Sequence, residues 1–148
     1  MGGHLLGAAS VVVDQDGRVL LVKHNYGEHN WEIPGGATEP GESIEETAHR
    51  EAFEEVGVRL EIERFTGAYW EPDREDGKAI HHFVFLAHLD RASPTPRVVD
   101  QAEITDCAWF APDNLPRPIS NVTVLRVNDA LSGRPAQFRR VGPRTWLR

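Results

Sequence analysis

The sequence predicts an α/β chain, folded as a single domain over residues 1–148 into an α/β/α sandwich with a mixed sheet. Two observations predict it. Valine- and leucine-rich runs of strand character stand on both sides of one strongly patterned helix, and a second helical pattern comes late. No internal repeat or low-complexity linker divides the chain. Its 148 residues are enough for a core without disulfides.

In chain order, residues 5–13 and 18–23 are apolar runs separated by DQDG, which reads as a β-hairpin with Gly17 free to take positive φ. Trp31-Glu32-Ile33 is a short extended piece before Pro34. Residues 44–56 carry the central helix. Residues 59–70 and 79–89 read as strands joined by the polar loop EPDREDGK. A proline-containing loop, RASPTPRVVDQAE, leads to a strand at 104–110. The turn-rich APDNLPRPIS then precedes a second helix over 121–131 that stops at Gly133. The basic, proline-broken tail GRPAQFRRVGPRTWLR carries no periodic pattern and is left without assigned structure.

Composition narrows the function. Forty per cent hydrophobic and 26% charged residues is globular, not disordered. A net charge of −7 argues against a nucleic-acid polymer as partner, which needs a dense basic footprint. It leaves room for a small anion, because bound cations reverse the local sign. One cysteine, Cys107, rules out an internal disulfide and a multi-cysteine zinc site. Asp14 and Asp16 interrupt the apolar N-terminal run well short of about 20 residues, so neither a signal peptide nor a membrane span is expected. A cytoplasmic protein is the expectation.

Residues 35–58, GGATEPGESIEETAHREAFEEVGV, gather seven glutamates in 24 residues. Ser43 and Glu46 form a capping box, and Gly57 stands where a left-handed C-cap belongs. At 100° per residue, Ile44, Ala48, Ala52 and Val56 make one apolar stripe. Glu55 falls inside that stripe and Glu51 beside it, about 20° to either side of Ile44. Glu51, Glu54 and Glu55, at i, i+3 and i+4, converge on one patch. A carboxylate on the core-facing side is costly unless paired or bound to a cation, and Arg50 is a single positive charge. Hard divalent cations with oxygen ligands, Mg²⁺ or Mn²⁺, answer the need. The plainer alternative is an acidic surface helix with accidental spacing.

The flanking residues decide between them. Gly36, Glu42 and the run Arg50-Glu51-Ala52-Phe53-Glu54-Glu55-Val56-Gly57-Val58 are spaced so that residues 36–58 resemble the Nudix box without a mismatch. The preceding WEIPG looks like the lead-in of MutT-type members, and Glu103 six residues before Trp109 is also similar to them. The resemblance implies a Nudix-type α/β/α sandwich carrying the box as a loop–helix–loop. It also implies a pyrophosphohydrolase, acting on acid anhydrides and using Mg²⁺ or Mn²⁺ on a nucleoside diphosphate linked to another moiety. That leaves a nucleoside triphosphate, ADP-ribose or a nucleotide sugar as the substrate.

By position, the resemblance makes Glu51, Glu54 and Glu55 metal ligands, with the Gly35 carbonyl and Glu103 as further ones. Glu51, Glu54 and Arg50 form the catalytic set, with Glu51 at the general-base position and Arg50 orienting a neighbouring glutamate. Glu42 braces the loop. The implied partner is a small nucleotide, with no membrane involved; self-association into a homodimer stays open. The alternative function is a non-catalytic Nudix module that binds a nucleotide as a sensor, although such a module would be expected to lose box glutamates. An isoprenoid diphosphate isomerase would need a cysteine motif that Cys107 lacks.

For substrate binding, Trp31, Tyr69 and Trp70 are candidate partners for a base, each with a competing reading as core. Pro72, 15 residues beyond Gly57, lies close to a proline of ADP-ribose-hydrolysing members, or is a simple turn proline. Asn121 falls near a base-reading asparagine of MutT, two residues out of register. His81 and His82 are adjacent on a strand and so point to opposite faces, which argues against joint ligation. Cys107 reads as a packing residue.

Overall fold

A computed structural model describes residues 4–148. The elements run β1 (Leu5–Val12), β2 (Val19–His24), β3 (Trp31–Glu32), β4 (Gly35–Ala37), α1 (Ile44–Val56), β5 (Leu60–Glu71), β6 (Ile80–Leu89), β7 (Ile104–Phe110), β8 (Ile119–Ser120), α2 (Asn121–Leu131), β9 (Gln137–Arg140) and β10 (Trp146–Leu147). They form two five-stranded mixed sheets, β4-β1-β6-β5-β9 and β10-β8-β3-β2-β7. Among the described residues no helix is long and apolar enough to cross a membrane.

Strand alternation builds the sandwich. On β1, Ala8 and Val12 join the clusters around Ala48, Ala52 and Val56 of α1, while Ala9 and Val11 join the cluster around Val122, Val127 and Ala130 of α2. On β2, Leu20 and Val22 go to the α1 side and Val19 and Leu21 to the α2 side. Both strands are therefore buried on both faces, which explains their unbroken apolar sequence.

The expected hairpin is corrected. Its turn exists: Val13 bridges Val19, the Gly17 N–H donates to Asp14 O at 3.1 Å, and Gly17 has φ +77°. Beyond that bridge the strands separate into different sheets. β1 pairs in parallel with β6 over its whole length, and β2 pairs antiparallel with β7. The turn was written locally in DQDG, whereas the choice of partner belongs to strands far along the chain.

The central helix has the expected bounds and caps. Ser43 Oγ accepts from the Glu46 N–H at 3.0 Å, the Ser43 N–H donates to Glu46 Oε1 at 3.3 Å, and Gly57 closes the helix at φ +72°. The tail is ordered, contrary to its irregular sequence. β9 adds in parallel to the edge of β5, and β10 pairs antiparallel with β8.

Candidate active site

The box is a tight loop packed against β1, followed by α1. β4 pairs with β1, so Gly35 and Gly36 lie directly over Ala9 and Ala8. A Cβ on Gly35 would stand 2.5 Å from the Ala8 carbonyl oxygen, and one on Gly36 would stand 2.5 Å from Glu51 Oε1. A side chain at Gly35 would strike the β1 backbone, and one at Gly36 would displace the Glu51 carboxyl.

Arg50 organises the loop from the helix side. Its Nε donates to Glu42 Oε2 at 2.7 Å and its Nη2 to the Ala37 carbonyl at 3.0 Å. Its Nη1 donates to Glu51 Oε1 at 2.9 Å and to Glu54 Oε2 at 3.2 Å. Thr47 Oγ1 adds a 2.6 Å bond to Glu42 Oε1. The Arg50 and Thr47 donors hold the Glu42 carboxyl at about 2.

Two of the three expected carboxylates meet. Glu55 is buried, as its place in the apolar stripe requires, and accepts from the Gly35 N–H at 3.1 Å. The Glu51 carboxyl lies beside it. Burial and then the Glu51 charge push Glu55 well above the usual carboxylate range, and burial raises Glu51 too. Glu54 is half-exposed and turned onto Arg50. Among the described residues, no three His, Cys, Asp or Glu side chains stand close enough to hold an ion as placed. The expected convergence of all three is thus corrected to two, because the Arg50 guanidinium one turn back along the helix takes the Glu54 carboxyl.

The donor set nevertheless fits a hard cation. It is all oxygen, and among the described residues no cationic side chain pairs with the buried Glu55. Glu103 sits on the exposed turn before β7. That turn is docked on the end of α1 through the Val99 N–H to the Glu55 carbonyl, 2.9 Å, and its charge adds to the upward push on Glu55.

Beside the box loop opens a cleft of about 580 Å³, lined by Gly35, Gly36, His24 and Tyr26 and floored by charged side chains. Glu32 on β3 receives Arg126 Nη2 at 2.6 Å, Thr123 Oγ1 at 2.9 Å and Arg144 Nη1 at 3.1 Å. Arg144 also grips Glu71 with two bonds, Nε to Oε2 at 2.7 Å and Nη2 to Oε1 at 3.0 Å. His82 Nε2 lies 2.9 Å from Glu71 Oε1. Burial alone would raise Glu32, but Arg126 and Arg144 hold it at about 2; Glu71 is likewise held well below the carboxylate range.

The expected base partners lie elsewhere. Trp31 is buried, edge-on to Phe110 at 4.9 Å, because strand alternation gives the cleft to its neighbour Glu32. Tyr69 is fully buried and donates its hydroxyl to Asp129 at 2.8 Å. Trp70 stacks on His81 at 4.3 Å, and neither it nor Pro72 lines the cleft. Asn121 Oδ1 accepts from the Thr145 N–H at 2.8 Å and so fastens the tail. His81 and His82 do face apart, towards Trp70 and Glu71. Cys107 packs against the α1-side cluster.

Sequence reasoning missed the floor. Arg126 was detectable: it stands about 40° from Val122 and from Ala130, inside the buried stripe of α2, the same anomaly that marks Glu55. Arg144, in an aperiodic tail, gave no such signal.

Comparison with known proteins covers most of this architecture. A family model described as NUDIX domain matches residues 3–127. A MutT-like protein from Streptomyces ambofaciens is 34% identical over 131 residues, 88% of this chain and 79% of that protein. An ADP-ribose pyrophosphatase from Methanocaldococcus jannaschii is 30% identical over 112 residues, 74% of this chain and 64% of that one. The crystal structure of a MutT NUDIX hydrolase from Burkholderia pseudomallei superposes with a TM-score of 0.76 at 31% identity, covering 86% of this chain and 98% of that chain.

Proposed function

Because the chain belongs to the NUDIX family of hydrolases, we propose that it cleaves the diphosphate bond of a small nucleotide, a nucleoside triphosphate, ADP-ribose or a nucleotide sugar, with Mg²⁺ or Mn²⁺. The observation that carries this reading is the buried Glu55 beside the partly buried Glu51: among the described residues Glu55 has no cationic partner, and the pair lies under a glycine loop at the edge of a nucleotide-sized cleft. The relative named as an ADP-ribose pyrophosphatase supports the substrate class.

Glu51, Glu54, Glu55, Glu103 and the Gly35 carbonyl would hold the ions, Glu54 leaving Arg50 to do so. A divalent ion held by these residues would supply charge neutralisation at the diphosphate and acidify the attacking water. The rest falls to the chain. Glu51 accepts the proton of the attacking water, whose oxygen bonds to one phosphorus as the bridging oxygen leaves with the other phosphate. Arg50 fixes the Glu51 carboxyl for that transfer through its 2.9 Å bond, and Glu42 keeps Arg50 in place. The charged floor excludes a purely apolar ligand and suits a polar base and ribose.

Excess chelator should abolish hydrolysis of a nucleotide panel, and added Mg²⁺ or Mn²⁺ should restore it, with separated products showing which bond broke. Full activity in chelator refutes the chemistry. Glu103→Gln should lower turnover about tenfold and raise the metal concentration needed for half-maximal rate, because ligands outside α1 complete the coordination. Its melting temperature in chelator should not move. An unaltered metal requirement would return Glu103 to the solvated surface.

A further inference from the structure

We propose that Tyr26, seated on His24, is the platform on which the heteroaromatic base of a nucleotide stacks in this cleft. The assignment rests on the reading of the cleft as a nucleotide site, and adds to it where the base lies and what holds it.

Tyr26 is a large aromatic left 51% exposed, and it lines the cleft that also holds Gly35 and Gly36 of the box. Its ring is backed: the His24 imidazole lies parallel beneath it, with centroids 4.7 Å apart and planes 13° from parallel. A backed ring presents a fixed face, so stacking on it costs little further ordering. The loop that carries it is held in unusual backbone. Gly27 has φ +60° and His29, a non-glycine residue, has φ +51°, while the His29 N–H closes a turn onto the Tyr26 carbonyl at 3.0 Å. Non-glycine residues in that region are uncommon and gather at functional loops.

Position relative to the reacting end also fits. The Asn25 N–H donates to the Glu103 carbonyl at 2.8 Å, which ties the Tyr26 loop to the turn of a proposed metal ligand. The platform and the diphosphate end are thus set by one pair of joined loops. The rival surface is Trp146, which lines the same cleft but has no aromatic ring stacked beneath it among the described residues.

The test compares Tyr26→Ala, Tyr26→Phe and Trp146→Ala in binding AMP and GMP, with ribose 5-phosphate as the ring-free probe, by titration calorimetry. A base–aromatic stack predicts that Tyr26→Ala weakens both nucleotides about tenfold or more, whereas Tyr26→Phe restores them. Ribose 5-phosphate should bind Tyr26→Ala as it binds the parent. On a hydrolysed nucleotide, KM should rise with kcat little changed. Equal nucleotide affinity in the parent and Tyr26→Ala overturns the platform, as does a nucleotide-specific loss confined to Trp146→Ala, or equal losses for ribose 5-phosphate. If Tyr26→Ala weakens AMP binding but the parent hydrolyses no nucleotide, the platform stands and the proposed reaction falls.

Discussion

Replacing Glu55 with Gln should lower turnover at least a hundredfold while making the metal-free protein more stable. Removal of outer-shell partners of a metal already costs about 10–100-fold, so loss of a direct anionic ligand should cost more. The stability gain has a separate origin. Glu55 is 6% exposed and crowded by Glu51, and an amide of the same volume keeps the bond to the Gly35 N–H without a charge to desolvate. The sign of the pH effect follows. The folded-state pKa of Glu55 lies above its ordinary value of 4.5, so its contribution is fully present below 4.5 and is lost as pH rises through the folded value. Melting curves in chelator should show the parent losing stability relative to Glu55→Gln across that rise, and Mg²⁺ or Mn²⁺ should reverse the order. Parallel pH profiles for the two proteins would remove the raised Glu55 titration as the cause, and normal turnover would remove Glu55 from the proposed ligand set.

The second large effect belongs to the cleft floor. Arg144→Ala should destabilise the fold by about 3 kcal/mol, the lower end of what breaking a buried ion pair costs, because the Arg144 side chain keeps some exposure. It strands Glu71, which is 1% exposed and would retain only His82, and burial lowers the pKa of that imidazole. Here the pH sign is opposite. Glu32 and Glu71 are held below 4.5 in the folded state, so their contribution is present above 4.5 and is lost as pH falls towards about 2. Urea unfolding of the parent should therefore weaken through that window more steeply than that of Arg144→Ala. A loss under about 1 kcal/mol would place the pair among exposed bridges of little consequence.

What the sequence disclosed follows from range. The helix with its capping box, Gly57 and the buried Glu55 are settled within a few residues, so spacing alone exposed them. The partner of β1 was not legible, because DQDG encodes a reversal of direction and nothing about β6. Residues 137–140 and 146–147 pair only because a sheet edge is waiting for them. Aromatic type alone could not choose between base and core: Trp31 and Tyr69 have the right rings, and the structure gives them the competing reading, because their apolar surface is worth more in the core. Arg126 was readable by the angular logic applied to Glu55, and Arg144 was not.

The two halves of the site differ in how far apart their parts lie. The box binds itself together over contacts such as Arg50 to Glu42, eight residues apart, whereas Arg144 meets Glu32 across 112 residues. A fluctuation that lifts the tail from the sheets would therefore remove Arg144 from the floor of the proposed nucleotide cleft while leaving the glutamate loop intact. Hydrogen exchange should record this as two separate openings, and mild heating should extinguish affinity for nucleotide before affinity for metal.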